Sequence, residues 1–255
     1  IGPLVACAML RAFPQEYRRI FLVSAIPAVL SRVVLGIFVR APRHEPRVKP
    51  GALHREARAM GPAFARFLVT AGVFSLANSS TAFLLLLAAD PKHGAGFSGA
   101  RVTLVYLLYN LVYAVLSWPL GELSDRIGRR PILLAAYLLF AALYGMLAWQ
   151  AGAPFVIAGF VLLGVHSALI EGTQRSMIGD LVEPDRRGTA YGFYYTVVGA
   201  ALLPASIIAG ALWDRVGPRA MLATDAALAL VAALLFVLLL PSRHEWRDRR
   251  HGQPA

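Results

Sequence analysis

Gly121, Asp125, Arg126, Gly128, Arg129 and Arg130 stand within ten positions of one another, in the run Gly121-Glu-Leu-Ser-Asp125-Arg126-Ile-Gly128-Arg129-Arg130-Pro131 between two long apolar segments. One carboxylate among three guanidinium groups can form charge-assisted hydrogen bonds and can change partners. Asp125 can accept from helix-start amides or from a nearby arginine, and Gly128 permits a sharp reversal without a Cβ clash. These groups suit a latch: Asp125 pairs with a basic group in one state and releases it in another. The plainer reading is a topology signal, with the arginines holding the turn at a membrane interface.

A second charged pair is Glu171 and Arg175, four residues apart and therefore on one face of a helix. Charge inside an apolar segment is costly, which favours a paired structural or gating role for Glu171 over proton carriage. Asn78, Asn110 and His166 each fall near the middle of an apolar run. His166 is the single mid-run histidine and could titrate near neutral pH; a satisfied packing histidine is the competing reading. Tyr106, Tyr109, Tyr113, Tyr194 and Tyr195 could supply aromatic walls with polar tips. No His or acidic cluster has metal-ligand spacing, the lone Cys7 leaves no internal disulfide, and no Gly-Lys-Ser/Thr phosphate loop occurs. No cofactor is expected, and no constellation points to an enzyme.

The elements that must position these groups are membrane spans. The chain has 255 residues, is 58% hydrophobic and only 15% charged, with a mean hydropathy of +0.60. A soluble domain carries nearer a quarter charged residues. Spans are expected at Ile20–Val39, Phe64–Ala89, Val102–Leu120, Pro131–Trp149, Pro154–Glu171 or slightly beyond, Tyr191–Trp213 and Ala220–Leu240. Ile1–Leu10 is too short to span and reads as the tail of a helix that begins earlier. The polar stretch from Arg40 to Gly61, with Pro42, Pro46 and Pro50, reads as a solvated linker, with a short surface helix over 52–60 or contact with anionic lipid as further options.

The net charge of +11 sits in the connectors, so it is a matter of topology and not of nucleic-acid binding. With the Gly121–Pro131 turn in the cytoplasm, 16 Lys and Arg fall on that side against 7 on the other. This predicts a cytoplasmic C-terminus. Trp118, Trp149 and Trp213 stand at span ends, as interfacial anchors do. The charged turn also has a faint copy 89 residues later, Gly210-Ala-Leu-Trp-Asp214-Arg215-Val-Gly217-Pro-Arg219. The offset groups six spans into two sets of three, and an odd number inverts the second set.

Gly-x3-Asp-Arg-x-Gly-Arg-Arg between two spans resembles motif A of the major facilitator superfamily. The stretch Glu171-Gly172-x2-Arg175-x4-Asp180-x2-Glu183-Pro184-x2-Arg187-Gly188-x3-Gly192 resembles that family's connection between its tenth and eleventh helices, and Gly2-Pro3 the end of its fifth. Asn78-Ser79-Ser80 before Ala82-Phe83-Leu84 is similar to the seventh helix of many bacterial members. A departure is Thr81, where related sequences often carry an acid.

The resemblance implies an all-α membrane protein: a six-helix C-terminal bundle of two inverted three-helix repeats (62–241), preceded by the end of the fifth helix and the sixth (1–39) and a cytoplasmic linker (40–61), and followed by a cytoplasmic tail (242–255). It implies a multi-pass protein of the inner membrane whose other bundle, the N-terminal helices, lies outside this chain. It places Asn78, Ser79, Tyr106, Asn110, Tyr113, Tyr194 and Tyr195 as candidates to line a midplane cavity, with helix–helix hydrogen bonding as the alternative use. Pairing of the motif turn would be with the eleventh helix or the loop before it. Gly199 and Pro204 would let that helix bend. Asp225 would meet the interface or the eleventh helix.

The implied activity is secondary transport of a small solute by alternating access, driven by a proton or solute gradient. Efflux of a hydrophobic or amphipathic compound is the first choice, uptake of a polar metabolite the second, and a non-transporting membrane scaffold or sensor the rival outside the class.

Overall fold

The structure is a computed structural model and describes residues 17–38 and 60–240. Ile1–Leu10 with Gly2, Pro3 and Cys7, the linker residues 40–59 and the tail 242–255 lie outside the described residues. Helix α1 (Tyr17–Phe38) has 22 residues with Pro27 inside it. It covers the expected first span up to Phe38.

From residue 60 onward the described chain is a helical bundle with no strand. Its elements are α2 (Gly61–Ala77), α3 (Ala82–Ala89), α4 (Gly99–Ile127), α5 (Arg129–Trp149), α6 (Ala153–Leu181), a 3-10 turn (Pro184–Arg186), α7 (Arg187–Arg215) and α8 (Pro218–Leu239). Six segments are long and apolar enough to cross a bilayer among the described residues, counting α2 with α3 as one.

Two expectations are corrected. The span Phe64–Ala89 is not one helix: it breaks between Ala77 and Ala82. Asn78, Ser79, Ser80 and Thr81 are four short polar residues in a row, and such side chains compete for backbone hydrogen bonds. Ser79 N bonds to Ala77 O at 3.0 Å, and Ser80 Oγ accepts from Ala82 N at 3.3 Å, in place of the helical pattern. The charged run after Gly121 is also mostly helix, since α4 continues to Ile127 and the chain reverses only at Gly128. Glu122 and Arg126, at four-residue spacing, support those last turns, while Asp125 meets Arg129 across the Gly128 reversal. At several other boundaries the helices outrun the apolar cores, α6 by ten residues beyond Glu171.

The internal repeat is visible in the backbone. Gly128 (φ 101°, ψ 155°) and Gly217 (φ 114°, ψ 168°) both cap the helix that follows. This conformation is open essentially only to glycine. The packing follows the same offset. It carries α2 and α3 onto α6, α4 onto α7 and α5 onto α8. The contacting pairs then exchange: α4 with α6 for α7 with α2, and α5 with α6 for α8 with α2, while α5 with α8 maps onto itself. Successive crossings put the Gly128 and Gly217 turns at opposite ends of the bundle.

Lipid tails are as apolar as the side chains, so helix association rests on close van der Waals packing. An aromatic core runs through α2, α5 and α8: Phe74 stacks on Tyr137 at 4.3 Å, Phe140 on Tyr144 at 4.2 Å, and Tyr137 meets Phe236 edge-on at 5.7 Å. Small residues bring backbones together. A Cβ at Gly164 of α6 would lie 2.8 Å from Tyr109 O of α4. The apolar windows of α4 and α7 are only 6% and 17% buried, against 39–50% for the other spans. These two helices are therefore the least enclosed by the described chain.

Candidate gating and cavity sites

At the Gly128 end, Arg129 is the central group. It meets Asp125 at 3.4 Å on its own side and forms an ion pair with Asp180 at the end of α6. Asp125 is 69% exposed, whereas the Arg129 side chain is 25% exposed. Arg130 donates to Val237 O of α8 at 3.2 Å, and Arg126 pairs with Glu122. The turn between α4 and α5 is thus fastened to the ends of α6 and α8. In this conformation the cross-link is made by Arg129 and Asp180, and Asp125 reaches it through Arg129. Arg187, the first residue of α7, donates to Gly179 O at 2.8 Å, and Arg186 just before it lies 3.7 Å from Glu183.

A polar seam joins α4, α6 and α7. Tyr113 donates to Glu171, and Glu171 accepts from Arg175 at 2.9 Å. Tyr191 donates to Arg175 O at 3.0 Å, and Tyr194 to Gln174 Oε1 at 2.6 Å. Tyr109 and Ser167 hydroxyls are 3.3 Å apart. Along α4 the rings of Tyr106, Tyr109 and Tyr113 stack at 5.6 and 6.5 Å, and Tyr195 stands exposed beside Tyr194 on α7. The seam combines aromatic faces, one carboxylate and one guanidinium. That set can hold a solute by stacking and a few directed hydrogen bonds.

The other candidates lie elsewhere. Asn110 donates to Tyr106 O of its own helix at 2.8 Å. Asn78 is exposed at the end of α2, and its backbone N–H closes that helix on Phe74 O. His166 is 3% exposed, with Nδ1 donating to Ala136 O at 2.9 Å and its ring beside Phe74 and Phe140. This is a hydrogen-bonded histidine inside the bundle core, clear of the seam. Ser79 is buried at the break and donates to Asp225 Oδ2 at 2.6 Å.

Sequence reasoning missed Asp180, Gln174 and the partner of Asp225. Asp180 had a signal, since it ends the apolar run on the same side as the charged turn. The Ser79–Asp225 bond spans 146 residues and had none.

Residues 68–255 match the Major Facilitator Superfamily. The chain belongs to this superfamily. Over 175 residues it is 34% identical to an uncharacterised MFS-type transporter of Methanocaldococcus jannaschii, covering 68% of this chain and 44% of that protein. It is 27% identical to the inner membrane transport protein YajR of Escherichia coli, over 67% of this chain and 37% of that one. It is 33% identical to the puromycin resistance protein pur8 of Streptomyces alboniger, over 62% and 30% respectively. The chain thus spans less than half the length of these relatives. A crystal structure of the peptide transporter POT in complex with sulfate superposes with a TM-score of 0.53 at 16% identity, over 83% of this chain and 45% of that one, a likeness of fold. As a superfamily member with six membrane-length apolar segments among the described residues, this is a multi-pass membrane protein.

Proposed function

We propose that this bundle is one half of a secondary transporter that moves a small solute by alternating access, rocking against a second helical bundle outside the chain. The observation that carries this reading is the polar, aromatic seam of α4, α6 and α7, borne largely by the two helices the chain leaves least enclosed. The proposed cavity residues are Tyr106, Tyr113, Tyr194 and Tyr195, with Asn110 on α4; Asn78 and Ser79 stand apart from the seam, at the break after α2. Glu171 and Arg175 form the gating or coupling pair, and His166 is a separate coupling candidate in the bundle core.

Efflux of an amphipathic compound driven by protons is the form favoured, because the seam is mainly aromatic and neutral and a relative is a puromycin resistance protein. The Glu171–Arg175 pair supports a second reading, uptake of a polar solute that exchanges with their mutual hydrogen bond. The excess of Lys and Arg on the Gly128 side supports a cytoplasmic C-terminus in an inner membrane, with 40–61 as a cytoplasmic linker and 242–255 as a tail.

Asp125, Arg129 and Asp180 would form the latch, held in one state and opened in the other. Gly121, Arg126, Gly128 and Arg130 would shape and seat it. The test uses the full-length protein in vesicles, with efflux of hydrophobic dyes and polar solutes measured under an imposed pH gradient. Transport of one class that collapses with the gradient supports the reading. Unchanged transport and unchanged accessibility of the two faces in Asp125→Asn would remove Asp125 from the mechanism.

A further inference from the structure

Asp225 is the single ionisable group within the apolar stretch Met221–Leu239 of α8, the most apolar span, with a mean hydropathy of 2.5. It sits about 10 Å into the helix from Pro218 at 1.5 Å per residue. It is 4% exposed, and Ser79, which donates to its Oδ2, is 3% exposed. Three helices pack on α8. From α2 comes Ser79, just past its end. From α5 comes Tyr144, the titratable side chain that faces the carboxyl. From α7 no charged group meets it: Asp214 and Arg215 stand exposed at the Gly217 end, as does Arg219 at the start of α8. Among the described residues no Lys, Arg or His accompanies Asp225. A carboxylate without counter-charge is costly at such a site, whereas a neutral carboxyl held by a hydroxyl is cheap.

The partner of this carboxyl is at the break between α2 and α3. No four-residue backbone hydrogen bond is formed from Ser79, Ser80, Thr81, Ala82, Phe83 or Leu84. The bonds Asn78 N to Phe74 O and Leu85 N to Thr81 O close the two half-helices separately. The break therefore lacks the backbone bonds that would stiffen it, and the Ser79–Asp225 bond ties it to α8.

We propose that Asp225 is a proton-binding site that sets the hinge between α2 and α3. With the proton on, the neutral carboxyl stays against Ser79 and holds α3 in line. When the O–H bond breaks and the proton passes to water, the single Ser79 bond does not offset the cost of a buried carboxylate, so water enters the site and the break opens, letting α3 swing. This differs from coupling at Glu171 or His166. Its test reads no transport, so its failure is separate from failure of the transport reading.

The experiment uses the full-length protein in lipid nanodiscs with Cys7→Ser. Infrared difference spectra between acid and alkaline pH follow protonated carboxyl groups. Spin labels at Val69→Cys and Leu86→Cys, exposed positions on α2 and α3, follow the hinge by electron–electron distance. The expected result is loss of one carboxyl band on raising pH, together with a second or broader Val69–Leu86 distance. Asp225→Asn, which mimics the neutral form, removes that band and keeps the single distance at all pH values. Ser79→Ala and Asp225→Glu keep the band but shift its frequency, which decides the matter if Asp225→Asn does not fold. A band that survives in Asp225→Asn, unshifted bands in Ser79→Ala and Asp225→Glu, or a distance indifferent to pH overturns the proposal. So does a distance that responds to sodium at fixed pH, which would make the site a metal-cation site.

Discussion

Alanine at Gly128 and at Gly121, seven residues apart in the same charged run, should act in opposite directions. Gly128 holds φ 101° and ψ 155°, so a Cβ there forces strain of about 1–3 kcal/mol or a rearranged turn. Gly121 lies inside α4, where an added Cβ meets no atom within 4 Å. Alanine there should gain roughly 0.5–1 kcal/mol through helix propensity. The two variants should therefore differ by about 1.5–4 kcal/mol. Gly217 offers an internal replicate: its φ is 114°, and an added Cβ finds open space, so its cost is backbone strain alone. With the two turns at opposite ends of the bundle, the losses from Gly128→Ala and Gly217→Ala should add. Unfolding of the purified protein in mixed micelles with rising dodecyl sulfate, followed by tryptophan fluorescence, measures each. If Gly128→Ala and Gly217→Ala unfold with wild type while Gly121→Ala shows no gain, the backbone argument for the repeated turn is wrong.

Gly164→Ala should destabilise by about 1–3 kcal/mol through overpacking, since its Cβ would stand 2.8 Å from the fixed Tyr109 carbonyl. Gly159→Ala, which meets the movable end of Leu147 at 3.0 Å, should cost less in the same assay. A double-mutant cycle of Arg129→Gln and Asp180→Asn should return a coupling of about 0.2–1 kcal/mol, the range for exposed pairs, and a coupling of zero would remove the cross-link. In the loop after α3, a hydrogen bond from His93 and then the Lys92 backbone N–H hold Asp90 below the ordinary carboxylate range. A depressed folded value means that the Asp90 contribution to loop order is present above the ordinary value and is lost as pH falls through the depressed one. His93→Ala should raise the Asp90 titration towards the ordinary value by NMR.

The spans were legible because apolar runs near twenty residues have one economical fate in a bilayer. The duplication was legible too, because a turn that needs glycine leaves Gly128 and Gly217 at matching positions. The break after Ala77 was not. Hydropathy averages over a window, and four small polar residues barely lower the mean of a span that also holds Leu84 to Leu87. The helical extension of α4 through Asp125 was hidden because charge was read as turn, while its spacing stabilises helix. Of the candidate site, the charged turn and the tyrosines could be named from residue type. Which of them meet could not, since Tyr113 with Glu171 and Arg129 with Asp180 are tertiary pairings without local trace.

The two tyrosine contacts between α4 and α6 share one sequence separation: Tyr109 to Ser167 and Tyr113 to Glu171 are each 58 residues apart. Equal separations mean parallel helices in fixed register, with hydroxyls as rungs. The rungs recur four residues apart, about 6 Å along the axis. A slide of half a turn carries Tyr109 to the level of Leu169 and Tyr113 to that of Thr173, away from Ser167 and Glu171. A full turn brings Tyr109 to Glu171 and Tyr113 to the level of Arg175. Sliding the two helices therefore breaks both rungs at once, so the seam fixes their register.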